Sequence, residues 1–263
     1  MTALLDRDRP VIGMVHLPPL PGSPFYAGQT DEQILESAHR DLDVLLEEGF
    51  DAVSISNEGD RPYQADIPRE TIALFTYLAA ELTRGIGVPF GCGLLIDPRA
   101  TLAVARAIGA AFARLTFGVT AGTFGLVQES PGEILRYRAQ IGAATVKLFV
   151  NLSPHFGASL DTRPVAEIAR TCYAMSQPDA IQVHGSGAGA AADLEVVRQV
   201  KAALPDVPVI VASGVTVESL ASVLEAGDGI IVGSSLKQDG DTWKPIDRAR
   251  ARAFMRRVRE LRG

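Results

Sequence analysis

Three of the four histidines in this sequence, His16, His155 and His184, follow short runs of Val, Ile, Leu and Phe, where a strand would end and a loop begin. An imidazole titrates near pH 6.5, so these side chains are suited to moving protons at neutral pH. The carboxylates Glu58, Asp60 and Asp97 hold comparable positions, as do Thr116, Thr120 and Asn151. Glu58, Asp60 and Asp97 could orient substrate hydroxyls. With His155 or His184 they could instead assemble a divalent metal site, although their spacing is diagnostic of none. Lys147 belongs with this set because alternation along a strand places it, with Phe149, on the face that Asn151 occupies. An inward lysine in apolar surroundings has a lowered pKa and could form a Schiff base; the alternative is an interior lysine paired to a carboxylate.

A second constellation consists of small residues. Val211-Ala212-Ser213-Gly214-Val215 and Ile231-Val232-Gly233-Ser234-Ser235-Leu236-Lys237 each run from an apolar strand into glycine and serine. Such loops let backbone N–H groups approach an anion, and a short helix beginning near Ser234 would aim its positive end there. Ser213, Gly214, Gly233, Ser234 and Ser235 are therefore the expected phosphate-binding residues. The competing reading gives these glycines to tight strand-to-helix packing alone. Gly185-Ser186-Gly187-Ala188-Gly189 is a further glycine-rich loop, a weaker signal that a lid hinge would also explain.

The elements that must carry these groups recur along the chain. Runs at 11–17, 52–57, 89–96, 113–117, 145–152, 180–184, 207–212 and 229–232 read as eight strands, each followed by a helix-period segment. Continuous apolar strands alternating with helices indicate a parallel sheet covered on both faces. Asp97-Pro98 and Ser130-Pro131-Gly132-Glu133 read as helix starts, the latter as a capping box, and Thr216 as a cap. Eight β/α units in 263 residues fit a single closed (β/α)8 TIM barrel, with an open doubly wound sheet as the alternative. No G-x-G-x-x-G turn follows the first strand, which favours closure. Residues 18–30 form the expected active-site loop and 245–262 the C-terminal helix. In a barrel the active site lies at the carboxyl ends of the strands, where the candidates fall.

Composition narrows the partners. With 47% hydrophobic residues the chain can bury a large core, which excludes disorder as its main state. A net charge of -6 argues against nucleic acid, and the arginine-rich stretch 247–263 reads as a helix packed through Phe254, Val258 and Leu261 with a solvated basic face. No apolar run approaches the roughly 18 residues of a membrane helix, and no secretory leader is evident. Cys92 and Cys172 are too few for a disulfide framework. A cytoplasmic protein follows, its partner a small phosphorylated metabolite rather than nucleic acid or membrane. A homo-oligomer is compatible with the composition.

Val11-Ile12-Gly13-Met14-Val15-His16-Leu17, followed by Pro18-Pro19-Leu20-Pro21-Gly22-Ser23-Pro24, resembles the opening signature of the BtpA/SgcQ family. The resemblance extends through Gly59-Asp60-Arg61-Pro62-Tyr63, Leu135-Arg136-Tyr137-Arg138, His155, Arg163, Ser213-Gly214-Val215 and Gly233-Ser234-Ser235-Leu236-Lys237. It implies a phosphate-binding (β/α)8 barrel, in a family whose members often carry a phosphoribosylanthranilate isomerase label. Such an isomerase would place Cys and Asp at the ends of its first and fifth strands, where this chain has His16 and Asn151. Asn151 stands where the family usually has Asp, Pro154 where a Lys precedes the His, and His184 where a Thr is usual. Ser56-Asn57-Glu58 and Asp97-Pro98 also depart from the pattern. Together these features suggest isomerase- or lyase-like acid–base chemistry on a phosphosugar or phosphoribosyl compound. The alternative is a non-catalytic accessory factor in photosystem I-type membrane-complex biogenesis, with the proline-rich loop as its partner segment.

Overall fold

The structure is a computed structural model that describes residues 4–152 and 156–263. Its strands are β1 (Val11–His16), β2 (Ala52–Ser56), β3 (Phe90–Gly93), β4 (Phe112–Thr116), β5 (Gly118–Gly122), β6 (Gly125–Glu129), β7 (Lys147–Asn151), β8 (Gly157–Ser159), β9 (Ala180–His184), β10 (Val209–Ala212) and β11 (Gly229–Val232). Eight of them close into a barrel in the order β1-β2-β3-β4-β7-β9-β10-β11, and every neighbouring pair is parallel. The helices α1 (Asp31–Glu48), α2 (Arg69–Leu82), α3 (Pro98–Ile108), α4 (Pro131–Gln140), α5 (Val165–Ser176), α6 (Leu194–Ala203), α7 (Leu220–Ala226) and α8 (Arg248–Arg262) follow the barrel strands in turn. The chain is thus one (β/α)8 domain, as the repeated apolar runs require.

Two apolar layers hold it together. Between strands and helices lie Ile34, Leu45, Phe75, Leu78, Leu102, Val197 and Phe254, all fully or almost fully buried. Inside the ring lie Ile12, Met14, Phe112, Phe149, Ile210 and Ile231. The rings of Phe112 and Phe149 stack there at 4.6 Å, an arrangement that adds about 0.5–1.5 kcal/mol beyond area burial. These side chains fill the middle of the barrel, and a cleft lies above them at the carboxyl ends of the strands. Register then sets which polar groups share that height: His16 pairs with Ser56 and Ser56 with Gly93, while Thr116 pairs with Asn151 and Asn151 with Gln182.

Several local expectations need correction. Ser130 makes no side-chain cap bond, so the capping box does not form, and Pro131 at the first position carries the start of α4. Thr216 does not begin α7. It exchanges hydrogen bonds with Ser219, and the helix starts at Leu220. The C-terminal helix begins at Arg248, capped by Asp247. It buries Phe254 and Val258, but its basic face is not simply solvated: Arg252 pairs with Glu48 at 3.0 Å and Arg262 with Asp51 at 2.5 Å.

The antiparallel sheet β6-β5-β8, beyond β4 and β7, was not foreseen, and Thr120 is buried within it rather than standing on the barrel rim. Its strands are short and glycine-rich, a composition that reads as loop. No described helix is long and apolar enough to cross a membrane.

Candidate active site

At the carboxyl end of the barrel, His16, Glu58, Arg114 and His184 line one cleft with the loops around Gly214 and Gly233, about 490 Å³ counting the solvent-open space at its mouth. Each is placed by the end of a strand. His16 closes β1, and its Nδ1 lies 3.3 Å from the carbonyl oxygen of Thr242. A carbonyl only accepts, so Nδ1 carries the proton and Nε2 is the basic nitrogen of the neutral ring. His184 closes β9, with Nε2 2.6 Å from Asn151 Oδ1, while the amide nitrogen of Asn151 donates to Thr116 Oγ1 at 3.1 Å. Asn151 therefore fixes the rotamer of His184 and keeps a proton on its Nε2.

Glu58 follows β2 and is almost fully buried. The hydroxyl of Tyr63 donates to Glu58 Oε1 at 3.1 Å, and the Tyr63 ring packs on Phe156 at 5.2 Å. Burial pushes the Glu58 carboxyl above the usual carboxylate range, against the pull of the Tyr63 hydrogen bond and of the Arg114 and Lys237 charges. A carboxyl in that condition can donate or accept a proton nearer neutral pH. Burial and the neighbouring Glu58 charge hold the Tyr63 phenol above its ordinary range, so it remains a donor. Trp243 reaches the same residue from the loop before α8, donating Nε1–H to the Glu58 carbonyl at 3.4 Å. The guanidinium of Arg61 lies 3.6 Å from the Trp243 ring centre and 4.7 Å from that of Phe25. The loops after β1, β2 and β11 are thereby tied together over one side of the mouth.

The small-residue loops turn sharply and pack closely on their neighbours. Ser213 and Gly214 both have positive φ, 96° and 63°. A Cβ on Gly214 would fall 2.3 Å from the Ala191 backbone, so only glycine lets the two loops meet. The ring of His16 packs against Gly233, where a Cβ would come within 3.0 Å of its Cε1. The serine hydroxyls are committed within the protein. Ser213 Oγ accepts from Gly185 N and donates to Ala190 O, both at 2.8 Å; Ser234 Oγ meets Thr242 Oγ1 at 2.7 Å; Ser235 Oγ donates to Val215 O at 2.5 Å. What these loops can offer an anion is backbone N–H, with the hydroxyls shaping the turns. The segment after them is anchored by Lys237, which pairs with Asp41 in the interior.

Other expected site residues lie elsewhere. Lys147 is the first residue of β7, at the amino end of the barrel; its side chain is 57% exposed and pairs with Asp179 at 2.6 Å. It shares the row of Asn151 but sits two steps lower, where the barrel opens to solvent, so neither the desolvated interior site nor the Schiff-base environment exists. Asp60 accepts from Leu20 N at 2.7 Å and pins the loop after β1, and burial raises its carboxyl. Asp97 caps α3, accepting from Ala100 N at 2.8 Å. His155 lies outside the described residues. Among the described residues no three His, Cys, Asp or Glu side chains converge to hold a metal ion.

Arg114 and Gln182 were missed. Both occupy inward positions two residues before rim residues that were recognised, Thr116 and His184, so strand alternation could have found them.

A sequence model of the BtpA family matches residues 7–260. The putative sgc region protein SgcQ of Escherichia coli is 34% identical, covering 98% of this chain and 97% of its own length. The photosystem I biogenesis protein BtpA of Synechocystis is 28% identical, covering 97% and 90%. Among solved structures, N-(5'-phosphoribosyl)anthranilate isomerase from Pyrococcus furiosus matches with a TM-score of 0.58 at 16% identity, covering 96% of this chain and 99% of that one. Thiamine phosphate pyrophosphorylase from Pyrococcus furiosus matches at 0.59 and 16%, covering 99% and 100%. At such identities these two establish the fold alone.

Proposed function

The chain belongs to the BtpA family, and from that premise we propose that it is an enzyme acting on a small phosphorylated sugar or phosphoribosyl-type metabolite by acid–base chemistry, in an isomerase- or lyase-like reaction. The observation that carries this reading is the single cleft in which His16, Glu58 and His184 face the backbone of Ser213, Gly214, Gly233, Ser234 and Ser235. In it, the N–H groups of the two loops hold the phosphate, as loops after the last two strands of such barrels often do. His16, whose Nδ1 faces the Thr242 carbonyl, accepts a proton at Nε2, and Glu58, which follows the neighbouring strand β2, supplies or removes one. Asn151 positions His184, and Asp60 and Asp97 hold the loops. Solved barrels of like fold include proteins named for phosphoribosyl and phosphate compounds, which supports the substrate class. The site lies in a chain we place in the cytoplasm.

A thermal-shift screen tests the reading: sugar phosphates stabilise the protein and their dephosphorylated forms do not. Equal responses to the two sets would overturn it.

The name of the Synechocystis relative, with Phe25 and Trp243 about half exposed at the mouth, favours a second reading as an accessory factor whose loops dock a partner. That role predicts that Glu58→Gln leaves cellular function intact, whereas catalysis predicts its loss in a protein that still folds.

A further inference from the structure

The cleft contains a cation to which acid–base chemistry on a phosphosugar whose only charge is its phosphate gives no task. Arg114 projects inward from β4 at the upper end of the barrel, its Nε donating to Gln182 Oε1 at 3.1 Å and its Nη1 reaching Met14 Sδ at 3.2 Å. Gln182 is fully buried and donates from Nε2 to the Phe149 carbonyl at 3.0 Å, which fixes its amide with Oε1 toward Arg114. The guanidinium is therefore held in a built position. A thioether is a weak acceptor, so most of the five N–H donors lack a strong partner. No carboxylate stands within ion-pair distance among the described residues; the acid whose charge acts on Arg114 is Glu58, farther off and itself biased toward its neutral form. Burial draws the Arg114 pKa down to about 10, which still leaves it charged at neutral pH.

A partly buried cation whose nearest acid lies beyond ion-pair distance and is itself biased toward the neutral form is costly to keep. Here it lines two adjoining hollows that share its side chain, Leu95 and His184: the one bounded by Gly214 and Gly233, and a second bounded by Ser56, Thr116 and Asn151. A molecule whose phosphate rests on the two loops extends toward this planar donor fork, whose shape matches a carboxylate. We infer that Arg114 receives a carboxylate of the substrate at the barrel axis, so that the substrate class is a phosphorylated sugar acid, with one anionic group at each end. This rests on the phosphate reading above for the far end of the molecule.

The test uses ligands that differ in their anionic groups. Binding of inorganic phosphate, ribose 5-phosphate, 6-phosphogluconate and gluconate is measured by calorimetry and by the fluorescence of Trp243, the one tryptophan in the chain. The expected result is that 6-phosphogluconate binds at least about tenfold more tightly than ribose 5-phosphate. Arg114→Met then removes that preference while phosphate and ribose 5-phosphate bind as before. Arg114→Lys, which keeps the charge but loses the fork, shows an intermediate preference and carries the test if the methionine variant fails to fold. No preference in the wild type, or a preference that survives both substitutions, overturns the inference and leaves the phosphate site standing. Gluconate binding that depends on Arg114, with no binding of phosphate or ribose 5-phosphate, upholds the carboxylate subsite and removes the phosphate reading instead. Binding of none of the four overturns both.

Discussion

Lys237→Met should destabilise the protein far more than a lysine substitution ordinarily does. Lys237 is 1% exposed and Asp41 6%; the ammonium donates to Asp41 Oδ2, and Asp41 Oδ1 accepts from Ile246 N at 2.7 Å. Methionine fills the volume of the aliphatic stem, so little cavity forms, but Asp41 is left with a buried charge satisfied by one backbone N–H. Breaking one side of a buried ion pair costs about 3–5 kcal/mol. At about 2–4 °C per kcal/mol for a chain of this size, Tm falls by about 6–20 °C. The double variant Lys237→Met with Asp41→Asn keeps an acceptor for Ile246 and removes the orphaned charge, and should recover to within about 1–2 kcal/mol of wild type. Urea unfolding followed by Trp243 fluorescence, with calorimetry in parallel, gives both values. A loss below about 1 kcal/mol for the single variant, or a double variant no better than the single, would refute the assignment of Lys237 to a buried pair anchoring the Gly233 loop to α1.

Gly214→Ala places a Cβ against the Ala191 backbone at a position with φ of 63°, so it should weaken phosphate binding by at least about tenfold, measured calorimetrically, along with a loss in Tm. Lys147→Ala should change stability by less than about 1 kcal/mol and leave ligand affinity unchanged, because its ion pair is largely exposed. Glu129 is raised from 4.5 to about 7, chiefly by burial and further by Asp97, with Arg99 opposing. A carboxyl raised on folding contributes stability that is complete below its unfolded value and is lost as pH rises through its folded one. Glu129→Gln should therefore gain about 1–2 kcal/mol at about pH 8, after discounting for solvent, and nothing at about pH 4, as read from paired denaturation curves.

The barrel was legible because eight Val- and Ile-rich runs, each followed by a helix, have one compact closed solution. The order of the rim groups was legible for the same reason: His16, Glu58, Asn151, His184, Gly214 and Gly233 each follow a recognisable strand. Height along the barrel was not. Lys147 and Asn151 share a face, yet periodicity alone does not say which end of the strand meets solvent, and Lys147 lies at the wrong one. Asp60 and Asp97 illustrate a different limit. A carboxylate at a loop start serves equally well as a cap or as a ligand, and here backbone N–H groups claim both. Arg114 was within reach of alternation with Thr116, but a lone arginine inside Phe112–Thr116 carries no motif to mark it as a site residue, and only the contact with Gln182 shows what it faces. In the sheet β6-β5-β8, β5 and β6 form a tight hairpin closing at Gly122 and Gly125 whose glycine-rich strands read as loop, and only the pairing of β5 with β8 joins distant segments.

A crystal structure with ribose 5-phosphate bound tests most directly the claim that the acid–base groups and the small-residue loops form one site. The phosphate should lie within hydrogen-bond distance of backbone N–H groups at Gly214 and Gly233–Ser235, with the sugar directed toward Glu58, His16 and Arg114. Binding instead at the opposite end of the barrel, in the hollow bordered by Arg7, Arg9 and Lys201, would contradict it.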